Sequence, residues 1–151
     1  MFAGRNLGIS IPKGWATLFT GLCEQIDAAL GENRSAFAWI QVKEKFGSGR
    51  FYYRLKGAGP SVRVSVQNPD GSMSTPRDLR PPDPKAPNAA LGVQIQKLVS
   101  AAEALTSKTC IVCAKPGNTD STGGYWLTLC DQHVQQRRKN PNTMDSPWYE
   151  D

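Results

Sequence analysis

The chain has 151 residues and a mass of 16.5 kDa, the size of one ordinary domain or of a small domain with an appended module. Hydrophobic residues make up 39%, enough for a modest core, and no stretch approaches the roughly 20 apolar residues that a membrane span needs. The net charge of +5 is concentrated: residues 34–63 carry Arg34, Lys43, Lys45, Arg50, Arg54, Lys56 and Arg63 against Glu44 alone, a net +6, and the rest of the chain sums to −1. A field of that kind suits a polyanion or an acidic protein surface. The opening residues Met1 to Arg5 lack the apolar run of a signal peptide, so the expectation is a soluble, cytoplasmic protein without membrane contact.

Trp15, Leu18, Phe19, Leu22, Ile26 and Leu30 recur at helical spacing and predict an amphipathic helix over 15–30, stopped at Gly31. Cys23 lies beside that stripe. It reads first as a small core residue, with a reactive thiol or a fourth metal ligand as the alternative.

The period then changes. Residues 37–46 and 50–55 are rich in aromatic and β-branched side chains, and Gly47-Ser48-Gly49 between them reads as the turn of a β-hairpin. On spacing, Phe51, Tyr53 and Leu55 face the core together while Tyr52 and Arg54 face outward. Residues 61–67 alternate cleanly and predict a third strand, ended by the turn Asn68-Pro69-Asp70-Gly71. Residues 1–67 thus read as a helix against a three-stranded antiparallel sheet whose hairpin carries the charge.

Six prolines among polar residues make 68–88 an expected extended linker. Leu91, Ile95, Leu98, Val99, Ala102 and Leu105 then predict a second helix over 89–107, with Asn88 placed to cap it. Residues 140–151 read as a loose acidic tail in which Trp148 and Tyr149 could serve as an anchor.

The most specific motif follows that second helix. Cys110 and Cys113 stand in a CxxC pair, and Cys130 and His133 form a CxxH pair sixteen residues on. Two such pairs supply the four soft or borderline ligands that a tetrahedral Zn2+ prefers, and they use the only histidine in the chain. Between them lie the turn-rich stretch Lys115 to Gly124 and the short strand Tyr125 to Leu129, and Cys130 opens a polar helix ending before Pro141. Arg137 to Lys139 fall at the end of that helix, where positive charge complements its dipole. Knuckle, hairpin, then two ligands in a helix's first turn is the layout of a treble-clef zinc finger. Four protein ligands leave no coordination position for a reacting water, so the expected role of the metal is structural. The expected fold class is α+β, with the finger-bearing module over 89–139.

Several segments carry a resemblance. Cys23-Glu-Gln-Ile-Asp27, Lys43-Glu-Lys-Phe-Gly47 with Arg50-Phe-Tyr-Tyr53, Ala101-Ala-Glu-Ala104, Cys110-Ile-Val-Cys113 and Trp126-Leu-Thr-Leu-Cys-Asp-Gln-His133 together resemble a group of small proteins from bacteria and their phages. The resemblance implies phage or prophage origin and brings no activity with it. Against that pattern, residues 57–90 look like an insertion.

Two binding functions compete. Lys43, Lys45, Arg50 and Arg54 can neutralise phosphates, and Tyr52 can stack on a base, so nucleic acid is one partner the hairpin suits. The alternative is inhibition of an acidic host protein by direct contact. A metal-dependent nuclease is a minor third reading. Gln41-Val42-Lys43 resembles a degenerate nuclease signature, but only Glu24 and Asp27 on the preceding helix offer carboxylates for it.

Overall fold

Helix α1, Ala16–Leu30, forms where the apolar spacing puts it, and Phe19, Leu22, Ile26 and Leu30 are its buried face. Gly31 ends it at φ +52°, returning its N–H to the carbonyl of Asp27, a conformation that side chains with a Cβ adopt only at a cost. The structure, a computed structural model, describes residues 8–59, 63–64, 77–78 and 83–139. The predicted tail over 140–151 and most of the predicted linker over 68–88 lie outside the described residues.

The main sheet is built on the long hairpin of β2, Phe37–Lys45, and β3, Ser48–Leu55. Lys45 pairs with Ser48, so the connection is the two residues Phe46 and Gly47, at φ +53° and +76°. The expected turn over Gly47-Ser48-Gly49 is therefore displaced towards the N-terminus. A two-residue connection with positive φ at both positions matches the right-handed twist of the strands. Ile40 is the extra residue of a bulge, since Trp39 pairs with Tyr53 and Gln41 with Tyr52. The bulge resets the alternation, and Phe37, Trp39 and Val42 all reach the core despite their uneven spacing. Phe19, Phe37, Trp39, Phe51 and Tyr53 form the aromatic centre of that core, with ring centroids 5.1–6.4 Å apart.

The antiparallel three-stranded sheet is corrected. Its third member is β1, Gly8–Ile9, which runs parallel to Gln41 and Val42, so the sheet is mixed in the order β1-β2-β3. Within 61–67 only β4, Arg63–Val64, is described, and it pairs with β5, Arg77–Asp78, in a separate ladder that occupies part of the predicted linker. The physical reason lies in helix α2, Ala89–Thr106. Glu103 Oε1 accepts the N–H of Phe51 at 2.8 Å, and Thr106 Oγ1 accepts the N–H of Gly49 at 2.7 Å. The helix thereby occupies the edge of β3 that an added strand would need.

Ile95, Val99 and Ala102 of α2 complete the core, and Gly92 lets the helix approach Ala58 and Leu55. Asn88 does not cap the helix with its side chain, as the sequence suggests. Its Nδ2 instead donates to the Lys56 carbonyl at 2.7 Å, tying the helix start to the end of β3. No helix among the described residues is long and apolar enough to cross a membrane.

Beyond α2 comes a small unit of β6, Asn118–Asp120, antiparallel to β7, Leu127–Leu129, followed by α3, Asp131–Lys139. Its own core contains Cys110, Ile111, Leu127, Leu129 and Cys130, together with Trp15 from the segment before α1. The described residues form an α+β fold, with a Cys/His cluster near the C-terminus.

Candidate metal centre and basic hairpin

The first ligand pair sits on a tight loop. The N–H of Ala114 returns to the carbonyl of Cys110, and the N–H of Cys110 donates to the carbonyl of Lys115. Ala114 takes φ +63° to make that reversal. The second pair is set by α3. Cys130 precedes the first helical residue and His133 lies one turn on, so both project to one face.

The four ligand atoms converge within 4.8 Å of one another. Cys113 Sγ lies 3.7 Å from Cys130 Sγ, and His133 Nδ1 lies 3.4 Å from Cys110 Sγ and 3.1 Å from Cys130 Sγ. Bond lengths of about 2.3 Å to sulfur and about 2.1 Å to nitrogen place tetrahedral ligands roughly 3.6–3.8 Å apart. The sulfur–sulfur edge matches, the sulfur–nitrogen edges are slightly shorter, and the sulfurs are far beyond disulfide distance. The Cys3His set is compatible with a bound metal ion.

Its electrostatics favour the anion that a metal binds. Burial pushes the Cys130 thiol up, but the His133 backbone N–H, the His133 ring and the Cys113 and Cys110 thiols outweigh it and lower Cys130 to about 6. Burial raises the Cys113 thiol, and the Lys115 N–H offsets this only in part. Cys23 is not in the cluster. It lies on α1 against the main core, with burial raising its thiol, as expected of a packing residue.

No protein-family model, curated protein or solved structure matches this chain. The chemistry of the site therefore follows from its own geometry.

The ligand unit is fastened to the main body at two places. At the first, the N–H of Gly14 donates to the Ile111 carbonyl at 2.8 Å and Trp15 Nε1 to the Thr109 carbonyl at 2.9 Å. A Cβ at Gly14 would lie 2.2 Å from the Cys110 carbonyl oxygen, so only glycine fits against the knuckle. At the second, Thr128 Oγ1 donates to the Gly47 carbonyl at 2.6 Å, while Glu44 accepts the Gly47 N–H at 2.6 Å and the Tyr125 hydroxyl at 3.2 Å. Burial, opposed by these bonds and by Lys45 and Arg50, raises the Glu44 carboxyl above its ordinary range.

A buried ion pair holds the unit together internally. Arg137 donates to Asp120 Oδ2 at 2.8 Å, to the Asp120 carbonyl at 3.0 Å and to the Tyr125 carbonyl, locking α3 onto the β6–β7 hairpin. This goes beyond the helix-dipole role that its place in the sequence suggests. Its spacing from Cys130 and Val134, seven and three residues, already puts it on the inward face of α3.

The hairpin residues divide. Phe51 and Leu55 are buried and Tyr53 partly so, whereas Tyr52 and Arg54 are exposed, as the alternation requires. Lys45 is exposed, and the Lys43 ammonium stands 5.6 Å from the centre of the Tyr52 ring. Arg50 is the exception. It lies opposite Lys43 in the register, is only 5% exposed, and donates to Ser48 Oγ and the Gly49 carbonyl. These bonds hold its guanidinium back along its own strand, on the face that Lys43 shares. Arg34 is also withdrawn from the charged window, paired at 2.7 Å with Asp27.

Gln41 and Lys43 alternate with Val42, which packs under α1 among Phe19, Leu22 and Ile26. They therefore face away from the helix that carries Glu24 and Asp27. Those carboxylates are not brought to the Gln41-Val42-Lys43 segment.

Proposed function

We propose that this is a zinc-stabilised, non-enzymatic nucleic-acid-binding protein, a phage or prophage accessory factor whose origin rests on the sequence resemblance. The observation that carries the binding reading is the outer face of the hairpin. Lys45, Tyr52 and Arg54 are exposed and Lys43 half-buried on the face of the strands that lies opposite the core. Lysine and arginine neutralise phosphates, and an aromatic ring beside an ammonium suits a base.

Zinc is the ion this ligand set favours, since three thiolates and one imidazole in a tetrahedron suit its softness and geometry. The order knuckle, β6–β7 hairpin, α3 supports a treble-clef-like finger. Four protein ligands saturate the ion, which supports a structural role. Zinc bound there would hold the knuckle against α3, and through Gly14 and Trp15 against the main body.

A second reading keeps the face and changes the occupant. Ile40, 51% exposed at the bulge beside Tyr52, supplies apolar area that an acidic host protein could cover. One experiment separates the two. Replacing Lys43, Lys45 and Arg54 with Gln should lower affinity for oligonucleotides. The dependence of that affinity on log salt should flatten by up to roughly 0.9 for each duplex phosphate no longer neutralised. Wild-type protein that binds no oligonucleotide at low salt, yet retains a protein from host lysate after nuclease treatment, would favour the second reading.

A further inference from the structure

Phe46 is an unexpected residue for its position. The first residue of this two-residue connection has φ +53°, where Asn, Asp or Gly sits comfortably and a bulky aromatic is strained. Its ring does not recover that cost by joining the core. It remains 36% exposed, with the Lys45 ammonium 4.7 Å from its centre. Among the described residues it joins neither core cluster.

A second exposed aromatic is tied to the same turn through Glu44. Tyr125, 55% exposed, follows Gly123 and Gly124, whose positive φ values turn the loop outward with open space around both. The Tyr125 hydroxyl donates to Glu44 Oε2, and Glu44 Oε1 accepts the N–H of Gly47, the residue after Phe46. One carboxylate therefore braces both loops, and Arg137 fixes the backbone of Tyr125 from behind. Two aromatic side chains are thus presented on anchored supports, with Lys45 over one of them.

Fixed, exposed rings with an adjacent cation match the requirement for an unpaired base and its phosphate. Bases in a duplex keep their faces against each other, whereas those of a single strand are free to stack on a protein ring. We infer that Phe46 and Tyr125 form a stacking platform for single-stranded nucleic acid at the junction of the basic hairpin and the metal-binding unit. This rests on the nucleic-acid reading and specifies the form of the ligand.

The test compares a thymidine homo-oligonucleotide of about a dozen nucleotides with a duplex of equal length, using metal-loaded full-length protein. Wild type should prefer the single strand. Phe46→Asn places a favoured residue in the turn, so its thermal midpoint should hold or rise while single-strand affinity falls about tenfold or more. Phe46→Tyr should restore most of the binding. Equal single-strand affinity for wild type and a folded Phe46→Asn, or a wild-type preference for duplex, would overturn the platform. If Phe46→Asn binds normally while the Lys43, Lys45 and Arg54 to Gln variant does not, the platform falls and the broader reading stands. If wild type binds neither oligonucleotide at low salt, both fall.

Discussion

The hydroxyl of Thr128 donates to the carbonyl of Gly47 across 81 residues of chain, joining the tip of the basic hairpin to the strand that leads into Cys130. The bond is buried, so no water stands ready to replace it. Thr128→Val keeps the shape and removes the donor, leaving the Gly47 carbonyl to depend on other partners. The expected cost is about 1–3 kcal/mol in denaturant unfolding of the metal-loaded protein. Amide exchange should accelerate at residues 45–48 before it does in α1.

Metal removal should be felt at Trp15. Its indole is fully buried in the core that holds Cys110 and Cys130, and its N–H donates to the carbonyl preceding Cys110. Chelation should shift the Trp15 indole resonance strongly, with the Trp39 indole, in the other core, moving less. Gly14→Ala should reproduce part of this effect with metal present. A Cβ forced against the Cys110 carbonyl is expected to cost about 1–3 kcal/mol or more and to lower metal affinity.

Thr106 is fully buried, accepting the Gly49 N–H and donating to the Glu103 carbonyl. Thr106→Val removes the oxygen and leaves a donor on the edge of β3 unsatisfied. A destabilisation of about 1–3 kcal/mol should follow. That N–H stays buried beneath α2, so denaturant unfolding of the two proteins measures the loss.

Glu44 gives a pH signature of predictable sign. Its carboxyl titrates above the ordinary range, chiefly because it is partly buried. The folded state therefore holds this proton more tightly than the unfolded chain does. Stability from this group is present below the ordinary carboxylate pKa and is lost as pH rises through the folded value. Glu44→Gln retains an acceptor for the Gly47 N–H and cannot titrate. The difference between wild-type and Glu44→Gln unfolding free energies should thus shift against the wild type as pH rises from about 4 to 7, whatever metal release does to both curves.

Ala114 occupies the left-handed region at φ +63° in the metal knuckle. Glycine adopts that conformation without a Cβ penalty, which exceeds the entropy glycine loses on folding. Ala114→Gly should raise the unfolding free energy of the metal-loaded protein by about 0.5–1 kcal/mol, and Ala114→Val should lower it by more. Chemical denaturation of the three proteins measures both.

The Cys/His cluster, both long helices and the hairpin are legible in the sequence because each rests on local periodicity or spacing. Cys110, Cys113, Cys130 and His133 need only their separations, and the inward set Phe51, Tyr53 and Leu55 needs only alternation. The turn is harder to place because Gly47-Ser48-Gly49 is richer in turn-forming residues than Phe46-Gly47, and the register of Lys45 with Ser48 is a pairwise property. The two-residue strand Gly8–Ile9 is too short to leave a periodic trace. Arg50 reads as surface charge because alternation cannot report that its guanidinium bonds back to Ser48 and Gly49. Glu103 and Thr106 do leave a signal, since they continue the buried stripe of Val99 at helical spacing, where a carboxylate and a hydroxyl need partners. The reliance of the metal knuckle on Gly14 and Trp15 has no local signal at all.

That reliance sets an order of assembly. The indole of Trp15 reaches its acceptor at Thr109 across 94 residues, and all four metal ligands lie further on still. A chain made from its N-terminus exposes this tryptophan until Cys130 and His133 have been synthesised and an ion has arrived. Binding of an ion there would close one of the longest loops in the fold and hide a large, early-made apolar side chain in the same event. A chain that met such an ion late would leave that side chain open for longer to chaperones and proteases.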